Sequence, residues 1–250
     1  LRAFADFLSS DYDISMNTIV TNMTLLRTVC NWVRKQGVTN NDPFFGYDMP
    51  KALYGTPYLL TIQERDQVLD ADLTDDAELA EYRDMFVFQC MVGCRHSDLV
   101  TFTPKNIIDG VLEYIPIKTK GKSGDVVRVP LIPKAMAILD GHDHGDDEPI
   151  FPKHYNFKFN DAIRRILKRA KVNRVVTVIN PKTRLEEKKP ISDVATSHLA
   201  RRTFIGNLYR MVKDPDLVAS MSGHAKGSVA FARYRVIDDD MKKSLVELIQ

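Results

Sequence analysis

The sequence predicts a mainly α protein with a small antiparallel β-hairpin or sheet, an α+β chain, and three observations carry that prediction. Apolar residues recur at three- and four-residue steps, as in Ile19, Met23, Leu26, Cys30 and Val33. A single stretch, LEYIPIKTKGKSGDVVRVPL (112–131), places two β-rich runs around a polar, Gly-containing turn. Clusters of Gly, Pro, Asn and Asp punctuate the helical runs without dominating them.

Taken in order, residues 1–37 read as two helices, the second closed by Gly37. The chain opens at Leu1, without Met and already in a helical pattern, which predicts a piece of a longer protein. Residues 38–57 (VTNNDPFFGYDMPKALYGTP) carry no helical period, so 38–59 is expected to link the first unit to a second over 60–250. Thr61 and Glu64 form a Ser/Thr-x-x-Glu signature that opens a helix through Leu69. A helix follows over 78–93, then the hairpin with room for an added strand, then helices over 133–140, 156–171, 194–211, 214–221 and 239–249.

Composition narrows the functional classes. No apolar run approaches the roughly 18–20 residues that span a bilayer, and no signal-peptide pattern opens the chain; a cytoplasmic protein without membrane contact is expected. Cys30, Cys90 and Cys94 lie in apolar or helical contexts without metal-ligand spacing, and read as free thiols. The net charge is only +2 at 250 residues, but it is unevenly spread. Between Lys153 and Lys189 basic side chains far outnumber Asp161, Glu186 and Glu187, while acid gathers at 70–84 and 140–148. Such segregation fits either a phosphate-backbone binder or a solvated helix face.

Three segments put unusual chemistry at helix ends and turns. In MVGCRHSDL (91–99), Gly93 breaks an apolar helix and Arg95 stands beside the break; it is either a fixed fork for phosphate or an exposed residue before an N-cap at Ser97 or Asp98. In SHLARRTF (197–204), His198 and Arg201 share a face at i and i+3, whereas Arg202 points elsewhere and is expected to make a backbone or salt-bridge contact. In MSGHAKGSVAFARYR (221–235), Gly223 and Gly227 open the backbone around His224, and Tyr234 is either a packed phenol or a nucleophile. His142 and His144 among the carboxylates of DGHDHGDDE suggest a cation site only weakly; an acidic surface loop is the simpler reading.

In this order, GCRHSDL (93–99), the hairpin with IKTKG (117–121), HLARRTF (198–204), SGH (222–224) and ARYR (232–235) resemble the catalytic domain of tyrosine recombinases, the phage-integrase family. The resemblance covers about 60–250, and residues 1–37 look like the end of that family's helical core-binding domain. GHAKGSVAFARYRVID (223–238) is similar to integrases of mobile elements and conjugative transposons. The family implies roles position by position: Arg95 and Arg201 grip the scissile phosphate, His198 and His224 bond it, and His198 aids proton transfer. Lys118 is the general acid, chosen over Lys120 and Lys122 because Lys-Thr at the end of the first strand fits the family pattern, and Tyr234 is the nucleophile.

The resemblance further implies cleavage and rejoining of double-stranded DNA sites without cofactor, metal or ATP, through a 3′-phosphotyrosine and a Holliday junction. It also implies a homo-tetramer on DNA. Met241, Leu245, Leu248 and Ile249 at helical spacing would dock that tetramer through the C-terminal helix; accessory DNA-bending proteins fit the same scheme. A type IB topoisomerase-like nickase and a non-catalytic DNA-binding relative are the competing readings.

Overall fold

The computed structural model describes residues 1–10, 12, 14–121, 125–142, 145–212, 214–224, 231 and 246, and within them the chain divides into two compact units. The first comprises Leu1–Gly55 with Thr177–Lys188, and the second Thr56–Val176 with the chain from Lys189 onward.

In the first unit, α1 (Arg2–Ser10) precedes α2 (Met16–Lys35). Ser15 caps α2 by accepting from the Thr18 N–H at 3.2 Å, and Gly37, at φ 71°, follows its C-terminal end. Ile19 and Met23 are buried with Phe44, and Leu26 and Cys30 pack against them, which is the stripe visible in the sequence. Residues 38–55 join this unit by contact. Besides Phe44, Asn17 brackets Leu53 by donating to its carbonyl at 2.8 Å and accepting from its N–H at 2.9 Å.

The second unit is built around one helix. α3 (Ile62–Leu69) starts on the reciprocal Thr61–Glu64 capping box, with bonds of 2.8 and 3.0 Å. α4 (Ala77–Val92) buries Tyr82 and every residue from Met85 to Val92, as a helix apolar on all sides must. Each large side chain so buried contributes about 1.5–3 kcal/mol. The short α5 (His96–Leu99) follows, then a three-stranded antiparallel sheet of β1 (Ile107–Ile108), β2 (Val111–Tyr114) and β3 (Val127–Pro130) in that order. The register pairs Leu112 with Val129 and Tyr114 with Val127, and these four side chains form its buried face. β1 is the added strand that the sequence left room for.

α6 (Pro133–Asp140) and α7 (Asn156–Arg169) come next; β4 (Val175–Ile179) and β5 (Glu186–Pro190) then pair as a two-stranded sheet, of which Thr177–Lys188 belong to the first unit. This second sheet went unread because EEKKP shows no apolar alternation. α8 (Ile191–Val194), α9 (Ser197–Val212) and α10 (Pro215–Ser222) complete the described helices. α4 packs against α3, α6, α7 and α9, and α10 against β3 and α9. The helix expected over 239–249 lies outside the described residues apart from Val246.

Part of the basic stretch resolves into internal pairing. Arg165 meets Asp76 at 2.7 Å, Arg169 meets Asp75 at 2.5 Å, Lys168 meets Asp193 at 2.8 Å and Arg174 meets Glu64 at 2.6 Å. The acid at 72–76 and the base on α7, far apart in sequence, face one another. Exposed pairs of this kind add little stability; their effect is to cancel field.

Candidate active site

Gly93 ends α4 at φ 68°, in the left-handed region. A Cβ built there would lie 2.2 Å from Cδ1 of Phe204 on α9, so the two helices meet where there is no side chain. The Gly93 carbonyl accepts from Arg201 Nη1 at 2.7 Å. Gln89 Nε2 donates to the Cys94 carbonyl at 3.0 Å, fixing the turn that leads to Arg95.

Arg95 is half-buried at the N-cap of α5. Its Nη1 is buried and has no hydrogen-bond partner among the described residues. A buried donor left so costs about 1–3 kcal/mol, which an anion placed there would recover. Three residues on, Asp98 is not an N-cap. It is 1% exposed and accepts from the Ile117 N–H at 2.9 Å, tethering the chain one residue before Lys118. Lys118 and Lys120 are both exposed in the turn that follows, where the N–H groups of Thr119 and Lys120 donate to the Pro116 carbonyl. Lys118 therefore stands in a turn beyond β2 rather than at a strand end, and Lys122 lies outside the described residues.

α9 carries His198 and Arg201, and its start is held from another helix. Asn160 on α7 accepts from the Ser197 N–H at 2.8 Å, and Ser197 Oγ donates to Asn156 Oδ1 at 3.2 Å. An acceptor there satisfies one of a helix's orphan N–H groups. Arg201 is 2% exposed, and its Nη2 lies 3.0 Å from Nδ1 of His224. Ser222 Oγ is 2.9 Å from the same nitrogen. Since Arg only donates, the imidazole presents a lone pair to it. Burial first, then the charges of Arg201, Arg95 and Lys118, push the His224 pKa down to about 3. His198 stays open to solvent, yet desolvation by the surrounding protein and the charges of Arg202, Arg201, Arg95 and Lys118 lower its pKa as well.

Both imidazoles thus feel the same three cations, and the structure brings Arg95, Lys118, His198, Arg201 and His224 to one place. Tyr234 lies outside the described residues. Phe231, buried, packs its ring 5.2 Å from that of His224. Beside the site, a cleft of about 410 Å³ is lined by Pro116, Val127, Ala219, Gly223 and His224 among others. Arg202 departs from expectation: its guanidinium lies over the Tyr58 ring, 5.1 Å from the centroid. His142 sits 3.6 Å from Asp84, His144 is outside the described residues, and among the described residues no group of three or more His, Cys, Asp or Glu is arranged to hold a metal. No described helix is long and apolar enough to cross a membrane.

Residues 59–241 match the family model described as the phage integrase family. The chain belongs to that family. Solved structures of phage integrases and related recombinases share its fold at low identity. The Tn1549 transposon integrase in complex with circular intermediate DNA superposes with a TM-score of 0.69 at 15% identity, over 99% of this chain and 84% of that one. The lambda integrase dimer bound to a core site gives 0.63 at 15%, over 95% and 81%. The XerH recombinase bound to its difH substrate gives 0.62 at 16%, over 100% and 70%. No curated protein sequence matches the chain. Asp98 and Asn160 are the residues of this phage-integrase site that sequence reading missed. The sequence offers Asp98 only as one of two alternative N-caps, and Asn160 lies 37 residues from its partner.

Proposed function

We propose that this member of the phage integrase family is a site-specific recombinase of a mobile element, of the conjugative-transposon type, that cuts and rejoins duplex DNA through a 3′-phosphotyrosine. The observation that supports it most is the buried Arg95 Nη1, partnerless among the described residues, beside Arg201 and two imidazoles of lowered pKa.

In this reading the Tyr234 hydroxyl attacks phosphorus while the bond to the 5′-oxygen breaks. The phenol, with an ordinary pKa near ~10, passes its proton to neutral His198, and the Lys118 ammonium protonates the departing 5′-oxygen. Charge growing on the non-bridging oxygens is met by Arg95 and Arg201 and by a hydrogen bond from neutral His224; one such fixed donor is worth roughly 3–4 kcal/mol. Attack by a 5′-hydroxyl from a second duplex regenerates the tyrosine and yields the exchanged strand. Phosphodiester count is conserved, so no ATP is consumed.

Residues 1–37 then belong to the end of a core-binding domain. The apolar positions Met241, Leu245, Leu248 and Ile249 favour docking of the C-terminal segment on a neighbouring protomer of a tetramer. The decisive experiment is a nicked suicide duplex. A covalent adduct mapping to Tyr234 and lost in Tyr234→Phe supports the reading, while an adduct at another residue overturns the assignment.

A further inference from the structure

Among the charges that act on His198, that of Arg202 comes first, ahead of Arg201, Arg95 and Lys118. Arg202 is also held in place. The ring of Tyr58 lies beneath its guanidinium at 5.1 Å, a cation–π distance, and the Tyr58 hydroxyl donates to the Val194 carbonyl at 2.7 Å, just before α9 begins. The segment Tyr58–Leu60 continues along the same helix. The Leu60 N–H donates to Thr203 Oγ1 at 3.0 Å, and the Leu60 carbonyl accepts from Asn207 Nδ2 at 2.9 Å. Leu59 fills the space at Gly206, where a Cβ would come within 2.3 Å of its Cδ2. Tyr58 is thereby a fixed platform, and Arg202 loses the rotamer freedom an exposed arginine would keep.

His198 lies four residues before Arg202, so the two side chains are neighbours on one helical face. The other charges that face His198 are Arg201 on its own helix, Arg95 from the start of α5 and Lys118 from the turn after β2. A phosphodiester seated among Arg95, Arg201 and Lys118 would offset part of their field and favour protonation of His198. Arg202, parked on an aromatic ring, keeps its charge directed at His198.

We propose that Arg202, seated on Tyr58, is a positioning residue that holds His198 in its proton-accepting form while the neighbouring cations are occupied by phosphate. The idea rests on the proton-acceptor reading of His198, and its test separates the two. In the full chain labelled with ¹³C-histidine, the His198 resonance, assigned with His198→Gln, is followed across pH for wild type, Arg202→Gln, Arg202→Lys and Tyr58→Leu. The midpoint is expected at higher pH in Arg202→Gln and Tyr58→Leu and near the wild-type value in Arg202→Lys, where the charge is kept.

An unmoved midpoint in Arg202→Gln overturns the proposal. Should that variant not fold, an unmoved midpoint in Tyr58→Leu does so instead. The low-pH limb of single-turnover cleavage is expected to move up in step with the midpoint. A limb that stays while the midpoint moves supports the Arg202–His198 link and counts against His198 as the acceptor.

Discussion

Arg201 Nη1 donates to the Gly93 carbonyl at 2.7 Å across 108 residues of chain, and through that bond the end of α4 and the middle of α9 hold one guanidinium rigid. A glycine that breaks one helix supplies both the carbonyl and the clearance. Replacing Arg201 strands that acceptor and, in the proposed mechanism, removes a phosphate ligand as well. In single-turnover cleavage of a suicide duplex, Arg201→Ala is expected to be slower by about a hundredfold or more. Arg201→Lys should recover only a small part, because an ammonium lacks the planar fork.

Gly93→Ala should destabilise the protein even with the arginines intact. The left-handed backbone costs a non-glycine residue about 1–3 kcal/mol, and the contact with Phe204 adds an overpacking penalty of similar size. Urea unfolding is the measurement. Adding Phe204→Leu should return part of the loss and leave the backbone share.

Acid should weaken the fold through His224. Its ordinary value is 6.5 and its folded value about 3, so below 6.5 the unfolded chain binds a proton that the folded chain refuses. Stability therefore declines as pH falls from about 6.5 toward 3. Thermal melts between pH 7 and pH 4 should show this decline, with a shallower slope in His224→Gln.

Asn160→Ala tests whether the start of α9 matters to the site it carries. Losing the acceptor for the Ser197 N–H is expected to cost about 1 kcal/mol of stability. Cleavage should slow while binding of an intact duplex stays near wild type. Asn160→Asp, which keeps an acceptor oxygen, should restore the rate.

The ion pairs on α7 predict an unusual salt response. Arg169 is already held by Asp75, so Arg169→Ala should scarcely alter the slope of DNA affinity against salt. Lys118→Ala should lower that slope by about one phosphate contact. Filter binding over a range of potassium concentrations compares the two.

Local chemistry was legible in the chain, and distant pairing was not. The Thr61–Glu64 box and the Ile19–Met23 stripe follow from residues a few positions apart, the hairpin from two β-rich runs around a turn, and each stands in the structure. HxxR marked the face that carries His198 and Arg201. The second sheet escaped because Glu186–Pro190 is polar on both sides of the strand. The Asn160 cap, the platform under Arg202 and the pairing of the 72–76 acid with α7 escaped for another reason. Each joins groups whose proximity only the finished fold creates. Arg202 shows the cost of local reasoning: helical phase turned it away from Arg201, but could not say that Tyr58 waits beneath it.

The mutual cancellation along α7 bears on how a polyanion would find this molecule. A broad positive flank would hold any nucleic acid in many poses, most of them idle. With Arg164, Arg165, Lys168 and Arg169 each held by one of the chain's own aspartates, that pull is reduced along α7, while Arg95 Nη1 has no partner among the described residues. The protein gains aim by giving up reach.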